Sequence, residues 1–230
     1  MEINVVILAA GRGKRMHSDK AKVLHILAGK PLLRHVLDSV VQSGVHKIYI
    51  IYGHGGEAVP QAATTYQANF ILQEPQLGTG HAVQQAIPHM PQDGVTLVLY
   101  GDVPLIQSVT IKKMLAVSDK LVLLTTLLDN PTGYGRIERD NQGNITRIIE
   151  DKDCTPTQSA IKEVNTGILA VPTRRLGIWL AQLENKNSQG EYYLTDIVAM
   201  AVADGVSIQT EQPVHEWEVI GINSKAQLAE

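Results

Sequence analysis

Aromatic side chains are scarce in this sequence, with one Phe, two Trp and seven Tyr among 230 residues. Platforms that stack the bases of a single strand need more of them. A cationic excess is missing too. Twenty Lys and Arg stand against 23 Asp and Glu, a formal net charge of −3. Binding to nucleic acid depends on a basic surface that displaces counterions, so this balance argues against that role. Cysteine occurs once, as Cys154, which excludes an internal disulfide and suits the reducing cytoplasm. No apolar run reaches the roughly 18 residues of a membrane-spanning helix. The first residues lead straight into a strand, without a basic leader or cleavage site. These absences leave a soluble cytoplasmic protein, long enough to bury a sizeable core in one domain spanning 1–230.

What is present alternates. Continuous apolar runs at Asn4–Leu8, Lys47–Tyr52, Asn69–Gln73, Val95–Tyr100, Leu121–Leu128 and Val164–Val171 predict strands. Helical spacing predicts helices over Pro31–Ser43, Thr79–Ile87, Arg174–Leu183 and Leu194–Ala203, with Gly44 as a C-terminal stop and Pro88 ending the second. The turn-rich Asp140–Asn144, between short alternating runs at Arg136–Glu138 and Ile145–Glu150, predicts a hairpin. The fold class is α/β: a mainly parallel twisted sheet with helices on both faces and a small β-rich subregion. Ligands of such sheets bind beyond the carboxyl ends of the strands. The first glycine turn, Gln73 and Gly101-Asp102 all belong there.

That first turn is Leu8-Ala9-Ala10-Gly11-Arg12-Gly13-Lys14-Arg15-Met16. A buried strand entering a glycine-rich turn leaves backbone N–H groups free to face an anion. Arg12, Lys14, Arg15 and Lys22 add cations, so the segment reads as a cradle for a nucleoside triphosphate rather than a bare turn. A nicotinamide dehydrogenase fits poorly, because Met16 stands where the dinucleotide fingerprint needs its third glycine. The acidic residue expected at the end of the second strand is missing as well. Gly29-Lys30 is followed by Pro31, which rules out a Walker loop.

Other residues leave alternatives open. Asp102, beyond an apolar strand and Gly101, suits either a hard divalent cation or a turn cap. Asn223 by itself reads as the N-cap of a terminal helix. Gln73, Gln76 and Gly78-Thr79 offer paired donors and acceptors that match a uracil edge, yet alone they read as a polar loop. Glu150, Asn165 and Gly190-Glu191-Tyr192-Tyr193 are candidate hydroxyl-binding groups for a sugar, or else surface and turn residues. The eight histidines show no metal-protease spacing.

Taken in order, the blocks LAAGRGKRM, KVLHILAGKP, YGHGG, QEPQLGTGHA, LYGDVPL, PTGYGRI, EVNTGI and GEYYLTDI resemble a known family. It is the N-terminal pyrophosphorylase (uridyltransferase) domain of the bacterial bifunctional N-acetylglucosamine-1-phosphate uridyltransferases, the GlmU family. The likeness runs from Val5 to Asn223. It implies a Rossmann-like nucleotidyltransferase fold and a Mg²⁺-dependent reaction of UTP with N-acetylglucosamine 1-phosphate, for peptidoglycan and lipopolysaccharide precursors. Leu8, Ala9, Ala10, Gly11, Lys22, Gln73, Gly78, Thr79, Tyr100 and Gly101 would bind the nucleotide. Arg15, Lys22 and Asp102 would be catalytic. Gly135, Glu150 and Asn165 would hold the sugar, and Asp102 with Asn223 the Mg²⁺. Lys14, Ala21 and Asp151 depart from the family pattern, where threonine, proline and histidine are usual. No hexapeptide repeats of the acetyltransferase β-helix appear, so the resemblance implies neither acetyl transfer nor a trimer, and a monomer is expected. Competing expectations are another sugar-1-phosphate nucleotidyltransferase and a non-catalytic sugar-nucleotide-binding module.

Overall fold

A computed structural model describes residues 2–116 and 120–229, apart from the side chain of Lys14. The charge expected of Lys14 beside the phosphates therefore lies outside the described residues. The chain runs through β1 (Glu2–Ala9), β2 (Ile26–Leu27), β3 (Lys30–Pro31), α1 (Leu32–Gln42), β4 (Lys47–Tyr52), α2 (Ala58–Ala62), β5 (Ala68–Leu72), α3 (Thr79–Ala86), β6 (Gly94–Tyr100) and α4 (Ser108–Leu115). It continues through β7 (Leu121–Leu127), β8 (Gly135–Arg139), β9 (Ile145–Ile149), α5 (Pro156–Ser159), β10 (Glu163–Pro172), α6 (Thr173–Leu180), α7 (Ile197–Ala203), β11 (Ile208–Glu211) and α8 (Lys225–Ala229).

Among the described residues one large sheet has the order β11-β7-β10-β6-β1-β4-β5. β1 pairs in parallel with both β4 and β6, placing Val5 opposite Ile48 and Leu97. Both faces of β1 are buried, which is why its sequence is continuously apolar. Val5 and Ile7 join the core beneath α1, with Leu33, Val36, Leu37 and Val40. Val6 and Leu8 face the other way, into the core formed with Val83 of α3, Leu176, Trp179 and Leu180 of α6, and Ile197, Val198 and Ala201 of α7. α1 stops where Gly44 takes φ +87°, a left-handed value suited to a residue without Cβ.

The mostly parallel sheet has one exception along its central path. β10 lies between β6 and β7 and is antiparallel to both. Before it reaches β6, and while still paired with β7, it pairs on its other edge with β8 through Asn165–Gly135 and Val164–Arg136, and β8 pairs with β9 as the expected hairpin. The late part of the chain thus raises a β-rich wall directly beyond the carboxyl ends of β1 and β6.

The final segment is fastened by a buried acid. Glu218 is fully enclosed and accepts from Thr110 Oγ1 at 2.6 Å, Gln107 N at 3.3 Å and His215 N at 3.0 Å. Ile222 N then donates to the Asp102 carbonyl at 2.8 Å, bringing residues 221–223 against the end of β6.

Candidate active site

Two clefts open side by side at the carboxyl ends of β1 and β6. The first, about 620 Å³, is lined by Leu8, Ala9, Ala10, Gly11, Arg12 and Gly13 from the first turn. Gln73, Gln76, Gly78 and Thr79 close its opposite side. The second, about 410 Å³, is lined by Gly135, Glu150 and Asn165 from the β-rich wall, by Tyr193 and Thr195 from the segment leading into α7, and by Arg15 and Asn223. Lys22, Thr79, Tyr100, Asp102 and Glu191 border both clefts. Residues far apart in sequence therefore converge on one divided cavity.

The first cleft is built from backbone. Among the described residues, no internal hydrogen bond uses the N–H of Gly11, Arg12 or Gly13, while Met16 N closes the turn onto the Gly13 carbonyl at 2.8 Å. Gly13 has φ +59°, and a Cβ there would stand 2.7 Å from Lys22 Cβ. A glycine at this point lets the turn lie directly on the stem of Lys22.

Gln73 is 3% exposed, with its Nε2 donating to the Gly78 carbonyl at 3.0 Å and meeting His81 Nδ1 at 3.1 Å. Burial lowers the His81 pKa, favouring the neutral imidazole, which has one nitrogen able to accept. The internal bonds thus occupy the amide donor and leave Oε1 as the group available to a base edge. Thr79 Oγ1 accepts from Leu194 N at 3.1 Å and so ties α3 to the far wall. Gly101 lines neither cleft. Its N–H donates to the Leu8 carbonyl at 3.0 Å, and a Cβ there would meet Val23 at 3.0 Å.

The divide between the clefts carries the charge. Lys22 Nζ forms an ion pair with Asp102 and a hydrogen bond of 3.0 Å to Asn223 Oδ1. One ammonium is thus shared by the two oxygens expected to hold a cation. Asn223 is not the helix cap: Ser224 Oγ accepts from Gln227 N at 3.2 Å, and Gln227 Oε1 accepts from Asn223 N at 2.9 Å. That frees the Asn223 carboxamide to face Lys22. Arg15 lines the second cleft rather than the first, and Arg12 takes the first.

The second cleft is acidic. Burial raises the Glu150 pKa despite a 2.8 Å hydrogen bond from Thr195 Oγ1, and the nearby Asp153, Asp151 and Glu191 charges raise it further. Burial, with Glu150 and Asp102 nearby, also raises the Tyr100 phenol, keeping it a donor at neutral pH. Gly167, at φ +87°, lets β10 approach the Tyr100 ring, which a Cβ would meet at 2.6 Å. Asn165 Oδ1 is sealed from solvent without a hydrogen-bond partner.

Asp151 does not face the cleft's chemistry. It pairs at 2.8 Å with the guanidinium of Arg136, which is otherwise buried, so this departure from the family pattern neutralises an internal charge. Sequence reasoning missed Thr195 as the partner of Glu150, although it lies within the GEYYLTDI block. It also missed Glu218, for which the sequence carries no local signal.

A family profile described as a MobA-like NTP transferase domain matches residues 5–131. The chain is 59% identical over 99% of its length to the "Bifunctional protein GlmU" of Herminiimonas arsenicoxydans, covering 51% of that protein. It is 58% identical to the protein of the same description from Thiobacillus denitrificans, over 100% of this chain and 50% of that one. The chain thus spans about half the length of these relatives. Among solved structures it resembles a nucleotidyl transferase from Methanothermobacter thermautotroptrophicus, with a TM-score of 0.69 and 19% identity, over 99% of this chain and 94% of that one. At that identity the likeness concerns the fold.

Proposed function

The chain belongs to the MobA-like NTP transferase family, and from that premise we propose that it transfers uridylate from UTP to N-acetyl-α-D-glucosamine 1-phosphate. The products are UDP-N-acetylglucosamine and pyrophosphate. One observation carries the reading: Lys22 and Asp102 border both clefts, so a nucleotide in one and a sugar phosphate in the other would meet at their phosphates. The relatives' description agrees with it.

A sugar phosphate has its second pKa near ~6 and is largely dianionic at pH 7. Its oxygen attacks the α-phosphorus, the bond to the bridging α–β oxygen breaks, and the electron pair leaves with pyrophosphate. No proton has to move, and no general base is required. The barrier lies in bringing two polyanions together, which is a matter of position and charge. Here the second cleft works against itself, because Glu150, Asp102 and Glu191 repel an incoming phosphate unless cations intervene. Lys22, Arg12 and the free amides of Gly11 to Gly13 would take the charge building on the leaving group, while Arg15, in the second cleft, would face the sugar phosphate. Gln73 Oε1 would accept from the uracil ring. Gly135, Glu150 and Asn165 would hold the N-acetylglucosamine.

Asp102 and Asn223 suit Mg²⁺: both offer hard oxygens, and those oxygens already share one cation, the Lys22 ammonium. No cluster of three or more His, Cys, Asp or Glu able to hold a metal occurs among the described residues. Bound by Asp102 and Asn223, Mg²⁺ would neutralise charge between the reacting phosphates. The reading takes residues 1–230 as one catalytic domain, a monomer in the cytoplasm whose partners are its two small-molecule substrates. A panel of nucleoside triphosphates and sugar 1-phosphates, read by pyrophosphate release, tests it. UTP with N-acetylglucosamine 1-phosphate is expected to be the fastest pair, and a faster pair would reassign the substrates.

A further inference from the structure

Two polar atoms beside the second cleft are sealed from solvent without a hydrogen-bond partner, Thr125 Oγ1 and Asn165 Oδ1. They belong to neighbours. Asn165 of β10 stands directly opposite Thr125 of β7 in the antiparallel ladder. Residues so opposed send their side chains to the same face, with Cβ atoms roughly 4.5–5.5 Å apart. Thr125 is fully buried, whereas Asn165 is 7% exposed and lines the cleft. Since Oδ1 is sealed, Nδ2 is the end of the Asn165 carboxamide that the cleft can meet. The oxygen has to find its partner inside the protein, and the hydroxyl opposite it is a donor with none.

We propose that Thr125 is a positioning residue for the sugar. When the sugar binds, its hydroxyl donates to Asn165 Oδ1, directly or through one enclosed water, and fixes the carboxamide with its NH₂ toward an acceptor oxygen of the ligand. The β7–β10 register shifts between Asn165 and Leu169, and within that irregularity Thr166 Oγ1 donates to the Leu124 carbonyl at 2.7 Å. A buried hydroxyl and a buried amide oxygen without partners are costly in the free protein, and ligand binding that pairs them recovers that cost. The inference rests on the sugar-binding assignment of the second cleft.

Valine has threonine's shape without the hydroxyl, so the opposing accounts of Thr125 predict different results. With UTP saturating, Thr125→Val is expected to raise the KM for N-acetylglucosamine 1-phosphate by about tenfold. The KM for UTP stays unchanged, and the melting temperature of the free protein does not fall. Thr125→Ser restores the donor and should return the sugar-phosphate KM to within about twofold of wild type. A valine variant with the wild-type KM overturns the proposal. So does a serine variant as impaired as the valine one, or a valine variant that loses its thermal stability, since the hydroxyl would then serve the fold alone. A wild-type protein inactive with this substrate pair would remove the functional premise, and with it the inference.

Discussion

The two clefts are built by different means. The first is made of main chain, with glycines that let N–H groups and the stem of Lys22 come close, and apart from Glu191 it draws on segments between residues 8 and 102. The second is made of side chains set against a β-rich wall: a half-buried carboxylate on Glu150, an amide oxygen without a partner on Asn165 and phenols on Tyr100 and Tyr193. Backbone donors suit any phosphate tail, whatever base it carries. Buried side chains with few partners select a shape, and they tune their own ionisation while doing so. The difference teaches that phosphate-facing main chain and sugar-facing side chains are separated in space, and the two clefts meet along Lys22, Thr79, Tyr100, Asp102 and Glu191.

The largest effect should come from damaging that meeting point. Asp102→Ala is expected to lower turnover by on the order of 10²-fold or more, whichever substrate is varied. Circular dichroism and thermal melting should stay near wild type, because the hydrogen bond from Ile222 uses the Asp102 backbone carbonyl, which the substitution retains. Near-normal turnover would place the reacting phosphates away from this carboxylate.

A smaller effect should come from Asp196, which follows Thr195 in the chain but does not itself line the second cleft. Burial, aided by the charges of Glu150 and Asp153, pushes the Asp196 pKa up to about 6. For a carboxyl raised above its ordinary value, the associated stability is complete below about pH 4 and is lost as pH climbs through 6. Asp196→Asn lacks this titration. Wild type should therefore gain melting temperature relative to Asp196→Asn between pH 6 and pH 4, and parallel profiles would show that Asp196 titrates normally. The equivalent experiment on the first cleft, where glycine amides do the binding, should show no such window.

The smallest change should fall on the nucleotide side. Gln73→Ala is expected to narrow the preference for UTP over CTP by severalfold, a single hydrogen bond contributing about 1 kcal/mol. Sugar-phosphate KM should not move. An unchanged UTP:CTP ratio would assign base choice to another group.

The same contrast explains what could be read from the chain. Strand ends followed by glycine turns are local signals, so β1, β4, β6 and the first cleft follow from runs such as Val5–Leu8 and Val95–Tyr100 with their flanking residues. The antiparallel insertion of β10 between β6 and β7 is a tertiary choice that its apolar sequence does not encode, since a strand buried on both faces looks the same in either direction. β2, β3 and β11 are too short or too mixed to show a period. Asn223 reads locally as a cap, and only the fold reveals that Ser224 does the capping. Asn165, Glu150 and Asp102 are candidates by residue type, each with a bland alternative, and the resemblance is what decides between them. Thr195 and Glu218 act through partners 45 and 108 residues away, beyond any local window.

The most direct test is a crystal structure of the protein with UDP-N-acetylglucosamine and Mg²⁺. The account predicts uridine between the first glycine turn and Gln73, the sugar against Glu150 and Asn165, and the pyrophosphate linkage at Lys22 and Asp102. A sugar nucleotide bound with its phosphates away from Lys22 and Asp102, or with base and sugar in exchanged clefts, would contradict it.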